Sequence, residues 1–261
     1  MGRSIPLSRP RRFICDLMRY SKQLPLIGFH RKMHLSELVA ARDSLPSRPS
    51  WALIFAKAYS RVAMRRPELR RSFIGFPWRR LYEHSHNIAC MAIERQYRGE
   101  AGVFFGHFEK PEDRTLADLQ TQLEAYKYDP IEKFGNYRRA MRIVRYPWPL
   151  RPMLWWHALN VSGAIRTSLF GTFGMSVTAA EGATAVQLLS IAPTTLHYDP
   201  FESDGSIVVR VTFDHRVIDG APIARAMVDL EETLMTELLF EVRELPQQVK
   251  SVVAKPLVGT R

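Results

Sequence analysis

Acidic residues are scarce in this sequence. Asp and Glu number 26 against 37 Lys and Arg in 261 residues, a net charge of +11. Lysine is scarce as well: it supplies 8 of the basic residues and arginine 29. A basic excess suits nucleic acid, a membrane surface or an anionic substrate, and arginine richness also follows from genomic base composition. The charges form no long block, and no zinc-finger spacing or RNA-binding aromatic motif occurs, so nucleic acid is not an expected partner.

Cysteine is nearly absent. Cys15 and Cys90 stand far apart without a CxxC pair, which excludes a disulfide framework and predicts two buried thiols in a reducing compartment. Long apolar runs are missing too. Residues 1–6 hold no signal core, and the longest uncharged central stretch, 152–165, is too short to span a bilayer and contains His157 and Asn160. The expected location is cytoplasmic, with a peripheral membrane contact left open. There is no GxSxG and no glycine-rich phosphate fingerprint, so a serine hydrolase is not supported. His84 and His86 are spaced to share one strand face but have no third ligand nearby. His30, His34, His107, His157 and His197 show no ligand spacing, and no metal is expected.

What is present is an ordinary globular balance, 46% hydrophobic and 24% charged. It predicts one domain over 1–245 and a polar tail over 246–261. Apolar periodicity predicts helices over 11–24, 35–43, 50–66 and 113–127, and a long one beyond Pro222. Strands are predicted over 26–35, 88–93, 102–105, 169–177, 183–192 and 207–213, with a turn at Asp204-Gly205. Strands and helices mix without strict alternation, which indicates an α/β (α+β) domain with helices packed on a mixed sheet.

The last strand runs directly into Asp214-His215-Arg216-Val217-Ile218-Asp219-Gly220, and a helix follows. His215 thus lies on a tight strand-to-helix connection. Histidine is the side chain best suited to proton transfer near neutral pH, and Asp214, Arg216 and Asp219 are placed to fix its orientation and charge. Gly220 permits unusual backbone angles or the close approach of another group. By spacing alone, a structural network and a catalytic base both fit.

Residues 213–221, FDHRVIDGA, resemble the catalytic segment of the dihydrolipoamide acyltransferases of 2-oxoacid dehydrogenase complexes, which are related to chloramphenicol acetyltransferase through HxxxDG. Residues 5–25 resemble the first helix of that catalytic domain. Ala56-Lys57-Ala58 with Pro67-Glu68-Leu69 resembles its second helical landmark, and residues 171–176, GTFGMS, its GTFTIS strand. The resemblance covers most of 5–240. It implies a chloramphenicol-acetyltransferase-like two-layer sandwich that forms trimers, some building larger cores, with the active site between subunits. It also implies direct acyl transfer from a thioester to a thiol, hydroxyl or amine, without a covalent acyl-enzyme. His215 would be the base and Ser176 the oxyanion donor. Asp219 would be a structural acid paired with Arg11, bracing the turn. No tightly bound cofactor is implied.

The chain departs from the family in three places. It has no room for a lipoyl or subunit-binding domain, which favours a free acyl-CoA or an acyl carrier protein as donor; both are anionic and suit a basic surface. Arg70 replaces the family Asn after Pro-Glu-Leu, and Ser176-Val177-Thr178-Ala179 replaces Ser-Asn-x-Gly. The third is an enlarged segment, 128–166, whose residues 137–156 interleave arginines with tyrosine and tryptophan. It reads as a membrane-surface element, as a lid over a long acyl chain, or as packing for the core or a trimer contact. The alternative functions are a non-catalytic trimeric scaffold, an accessory core subunit of a 2-oxoacid dehydrogenase complex, and antibiotic acetylation.

Overall fold

The computed structural model describes residues 2–176, 178–179, 182–184 and 190–245. Helix α1 (Arg9–Ser21) starts where the Ser8 hydroxyl accepts the Arg11 amide, with Pro10 in the first turn. Then come β1 (Leu26–His34), α2 (Ser36–Asp43) and α3 (Trp51–Arg65). Two hairpins follow: β2 (Arg71–Ile74) with β3 (Arg80–Glu83), and β4 (Ile88–Tyr97) with β5 (Glu100–Glu109). Helices α4 (Leu116–Tyr128), α5 (Gly135–Ile143), α6 (Leu150–Asn160) and α7 (Gly163–Phe170) precede β6 (Phe173–Met175), β7 (Thr194–Tyr198) and β8 (Ser206–Asp214). Helix α8 (Gly220–Thr233) continues through a widened turn to residue 245.

The main sheet has the order β1-β8-β7-β6-β4-β5. The β6 contacts with β4 and β7 are parallel and the rest antiparallel, so the sheet is mixed as expected. One face is covered by α3, α4 and α8. Helix α3 is apolar on nearly every side because it lies between the sheet and α8: Leu53, Ile54, Phe55, Ala58 and Val62 are all buried. Its Tyr59 packs on Phe173 with ring centroids 4.7 Å apart and donates to Thr194 Oγ1 at 2.8 Å; burial pushes the phenol pKa upward. Buried Lys57 reaches Glu241 Oε1 at 2.5 Å and ties α3 to the last helix, and burial lowers its pKa. To these layers the chain adds a partial cover on the opposite face, where Phe13 of α1 meets Phe105 and Trp155.

Several expectations shift. The enlarged segment is helical, α5 to α7, and α7 runs to Phe170, so the strand expected over 169–177 shrinks to Phe173–Met175. Gly171 has φ +74°, and a Cβ there would lie 2.6 Å from the Ile88 carbonyl; glycine is what lets the chain turn from α7 into β6. Of the strand expected over 183–192, residues 185–189 lie outside the described residues and 190–192 are not strand. The real neighbour, β7, starts at Thr194 and is buried throughout, so it lacks the alternation that marks a half-buried strand. The polar tail expected over 246–261 also lies outside the described residues. Cys90 is buried, its thiol pKa pushed up to about 12 by desolvation, but Cys15 is exposed on α1. His84 and His86 share no strand face. His84 follows β3 and is buried against the Ser72 and Thr167 hydroxyls, whereas His86 is partnered by Ser85. Arg70 is buried and donates to the carbonyls of Ala63 and His84, so it fastens the hairpin rather than addressing a ligand.

Candidate active site

Strand β8 delivers His215 at its C-terminal end. The Asp214 amide donates to the Pro193 carbonyl at 2.9 Å and the His215 amide to Pro25 at 3.2 Å. The chain then turns sharply, and the amides of Val217 and Ile218 both return to the Asp214 carbonyl, at 2.9 and 3.3 Å. The Asp214 carboxylate is fully buried and accepts three bonds from Arg216: the main-chain amide at 3.0 Å, Nε at 2.9 Å and Nη2 at 2.7 Å. Such a fork-to-carboxylate pair fixes both charge and orientation. The Arg216 guanidinium also lies 4.5 Å from the Phe73 ring centroid.

A second arginine supports the turn. Arg166 of α7 is buried and donates to the carbonyls of Phe73 and Ile191 at 2.8 and 2.7 Å. Burial lowers its pKa to about 10, and the nearby Asp214 charge opposes that shift. Nothing in the sequence pattern singled out Arg166; its partners are main-chain carbonyls far along the chain.

The imidazole of His215 is partly exposed, at 42%, with Nδ1 3.4 Å from Asp219 Oδ1. Asp219 is 81% exposed and precedes α8. Gly220 serves close approach: a Cβ there would lie 2.8 Å from the Phe29 ring, which packs edge-on against Phe213. Arg11 does not meet Asp219. Arg11 is exposed at the start of α1, and among the described residues Asp219 pairs only with His215. The physical reason is position, since the start of α1 lies against β5, where Pro10 meets Gly102, at the opposite edge of the sheet from β8. The brace expected from Arg11 and Asp219 is made by Arg216 and Asp214, with Arg166 beside them.

Ser176 lies just past β6. Its amide donates to the Leu196 carbonyl at 3.2 Å, and its carbonyl accepts from His197 Nδ1 at 2.5 Å. His197 is fully buried, with Nε2 3.6 Å from Asp199 Oδ1, and Arg210 binds Asp199 at 2.8 and 3.3 Å. These three residues escaped the sequence reading because the histidine's partner is a backbone oxygen. Ser176 borders two spaces. A cleft of about 820 Å³ is lined by Trp51, Met91, Ile93, Met175 and Tyr198. A smaller cavity of about 170 Å³, on the other face of the sheet, is lined by Cys90, Ala92, Phe105, Phe170 and Ile191.

Within one chain Ser176 and His215 stay apart. Met175 pairs with Leu196, and His197 with Arg210, so Ser176 stands level with Arg210. His215 is five residues further on, roughly 15 Å along the strand direction. The two side chains therefore do not address the same atom.

No protein-family model matches the sequence, and neither does any curated protein sequence. Solved structures do match in shape. The dihydrolipoamide acetyltransferase of Azotobacter vinelandii superposes with TM-score 0.67 at 17% identity, over 90% of this chain and 92% of that one. The chain has the fold of the 2-oxoacid dehydrogenase acyltransferase cores. A truncated catalytic core from Thermoplasma acidophilum gives TM-score 0.64 at 16% identity, over 90% and 99%. A probable dihydrolipoamide acetyltransferase from Listeria monocytogenes gives 0.63 at 15%, over 89% and 94%. In the Azotobacter acyltransferase core, a serine, a histidine and an asparagine four positions after the histidine have been investigated for their role in catalysis.

Proposed function

We propose that this protein is an acyltransferase that moves an acyl group from an acyl thioester directly to a thiol, hydroxyl or amine. The observation that carries the reading is the His215 turn. A partly exposed imidazole, its Nδ1 3.4 Å from Asp219 Oδ1, projects from a connection locked by the buried Asp214–Arg216 pair, and its Nε2 has no partner among the described residues. That arrangement suits a base that takes a proton from an acceptor. The acceptor attacks the thioester carbonyl, its proton passes to imidazole, and the tetrahedral oxyanion collapses with loss of the thiolate. The imidazolium returns the proton to that leaving sulfur. Ser176 supplies a hydroxyl donor to the oxyanion, a contact worth about 3 kcal/mol, or roughly a hundredfold in rate.

The separation of Ser176 from His215 supports placing the two roles on different copies. His215 of one copy faces Ser176 of the next in a closed ring, and the trimer implied by the family resemblance provides one. Coenzyme A or an acyl carrier is the donor, and the cleft beside Ser176 admits its acyl-bearing arm. In the Azotobacter acyltransferase core the investigated asparagine follows its histidine by four positions, the same spacing as Asp219 from His215 here. A non-catalytic scaffold would have no use for a locked, outward-facing histidine.

The test is release of free thiol from acyl-CoAs of increasing chain length. His215→Ala should abolish turnover with the oligomer intact; wild-type rates from that variant would remove the base assignment. Co-expressed His215→Ala and Ser176→Ala chains should regain activity, because about a quarter of randomly assembled sites pair an intact histidine with an intact serine. If the mixture is no more active than its components, the site is not shared.

A further inference from the structure

The enlarged segment does not behave as one unit. Tyr137, Met141, Val144 and Trp155 are buried in the core. Trp148 at 77% exposure, Met153 at 60% and Trp156 at 46% turn outward along α6 and the loop before it. The outward row continues onto the β2–β3 hairpin. Phe76 packs on Trp156 with centroids 5.5 Å apart, and its amide donates to the Asn160 carbonyl at 2.9 Å. Trp78, 69% exposed, stands at the hairpin tip. Arg80 fixes that tip by donating to the carbonyls of Phe76, Trp78 and Val161 at 2.9 to 3.2 Å. The aromatic side chains are therefore presented by a rigid support.

Charge is segregated on the same elements. Residues 133–180 and 69–82 contain no aspartate or glutamate. Arg79, Arg142 and Arg145 are exposed and have no acidic partner among the described residues. No helix among the described residues is long and apolar enough to cross a membrane.

We infer that the hairpin tip and α6 form an interfacial docking surface for an anionic lipid bilayer, with Trp78, Trp148 and Trp156 seated at the headgroup level and Arg79, Arg142 and Arg145 paired with lipid phosphates. Charge complementarity selects this occupant. Set against the same patch of another copy, these elements would oppose arginine to arginine, and indole rings flanked by arginine match the boundary between headgroups and acyl chains. Each arginine near an anionic surface contributes roughly a fivefold factor in partitioning, an attraction that salt screens. The surface is independent of the acyl-transfer reading.

The experiment is sedimentation of the full chain with vesicles of phosphatidylcholine alone and of phosphatidylcholine mixed with phosphatidylglycerol, at low and high salt. Binding is expected to the anionic vesicles at low salt, with a blue shift of tryptophan emission. Trp78→Ala with Trp148→Ala should weaken it at least tenfold, and Arg79→Glu with Arg145→Glu more. Circular dichroism and light scattering on the same variants report fold and assembly. Four results would overturn the inference. One is no binding to anionic vesicles at low salt, and another is binding that these variants leave unchanged. The third is a smaller oligomer in the tryptophan variant, which would make the patch a subunit contact. Capture of an acidic carrier protein without vesicle binding would do the same in favour of a protein partner.

Discussion

Nδ1 of the buried His197 lies 2.5 Å from the main-chain oxygen of Ser176. That bond, with Asp199 and Arg210 behind it, fixes the backbone from which the Ser176 hydroxyl projects. An oxyanion donor works only if it is preorganised, so under the proposed function His197 would act on the reaction through Ser176 as a positioning residue.

His197→Ala should lower kcat by ten- to a hundredfold with little change in KM. In a Ser176→Ala background the same substitution should cost far less, because the positioned group is already gone. Steady-state kinetics of the four variants measure the difference; equal losses in both backgrounds would leave His197 a merely structural residue.

Arg216→Ala strips the fully buried Asp214 carboxylate of its principal partner. Breaking a buried pair from one side costs about 3–5 kcal/mol. Arg166 nearby offsets part of that, so the lower end is expected from chemical denaturation. Turnover should fall as well, since the His215 turn hangs on this pair, and Arg216→Lys should recover stability better than activity.

Asp219→Asn and Arg11→Ala separate the two possible braces. Asp219 is exposed and among the described residues pairs only with His215, so Asp219→Asn should change stability by less than about 0.5 kcal/mol while lowering kcat. Arg11→Ala should change neither quantity. A shared loss of melting temperature in both variants would restore the Arg11–Asp219 pair.

Acid should destabilise the fold between pH 6.5 and 4. Burial lowers the pKa of His84 and of His107 to about 4 from the ordinary 6.5. In that window the unfolded chain binds protons that the folded chain does not, so stability falls as pH falls. Each group contributes a slope of up to about 1.4 kcal/mol per pH unit. Urea titrations at pH 7, 6 and 5 should show the decline, and His84→Gln with His107→Gln should flatten it.

The turn carrying His215 was legible because local signals agree there: an alternating strand after Asp204-Gly205, then a glycine and a proline opening a helix. The mixed sheet and α3 were legible from apolar periodicity. Strand β7 was not, since burial on both faces removes alternation and His197 interrupts the apolar run. The Arg11 brace was inherited from the resemblance, and the local Asp214–Arg216 pair took its place. Arg166 and His197 were invisible because both bind main-chain oxygens, which no residue pattern encodes.

Among the described residues the edge strand β1 pairs only with β8, Leu26 opposite Asp214 and His34 opposite Ser206. During synthesis β1 therefore emerges well before β8 and waits for its partner while the intervening chain is made. Its backbone groups stay unpaired and Met33 uncovered until β8 emerges, so the interval between the two leaves an open strand edge exposed to aggregation. The turn that bears His215 can close only once β8 has emerged, when Pro25 finally receives the amide of His215.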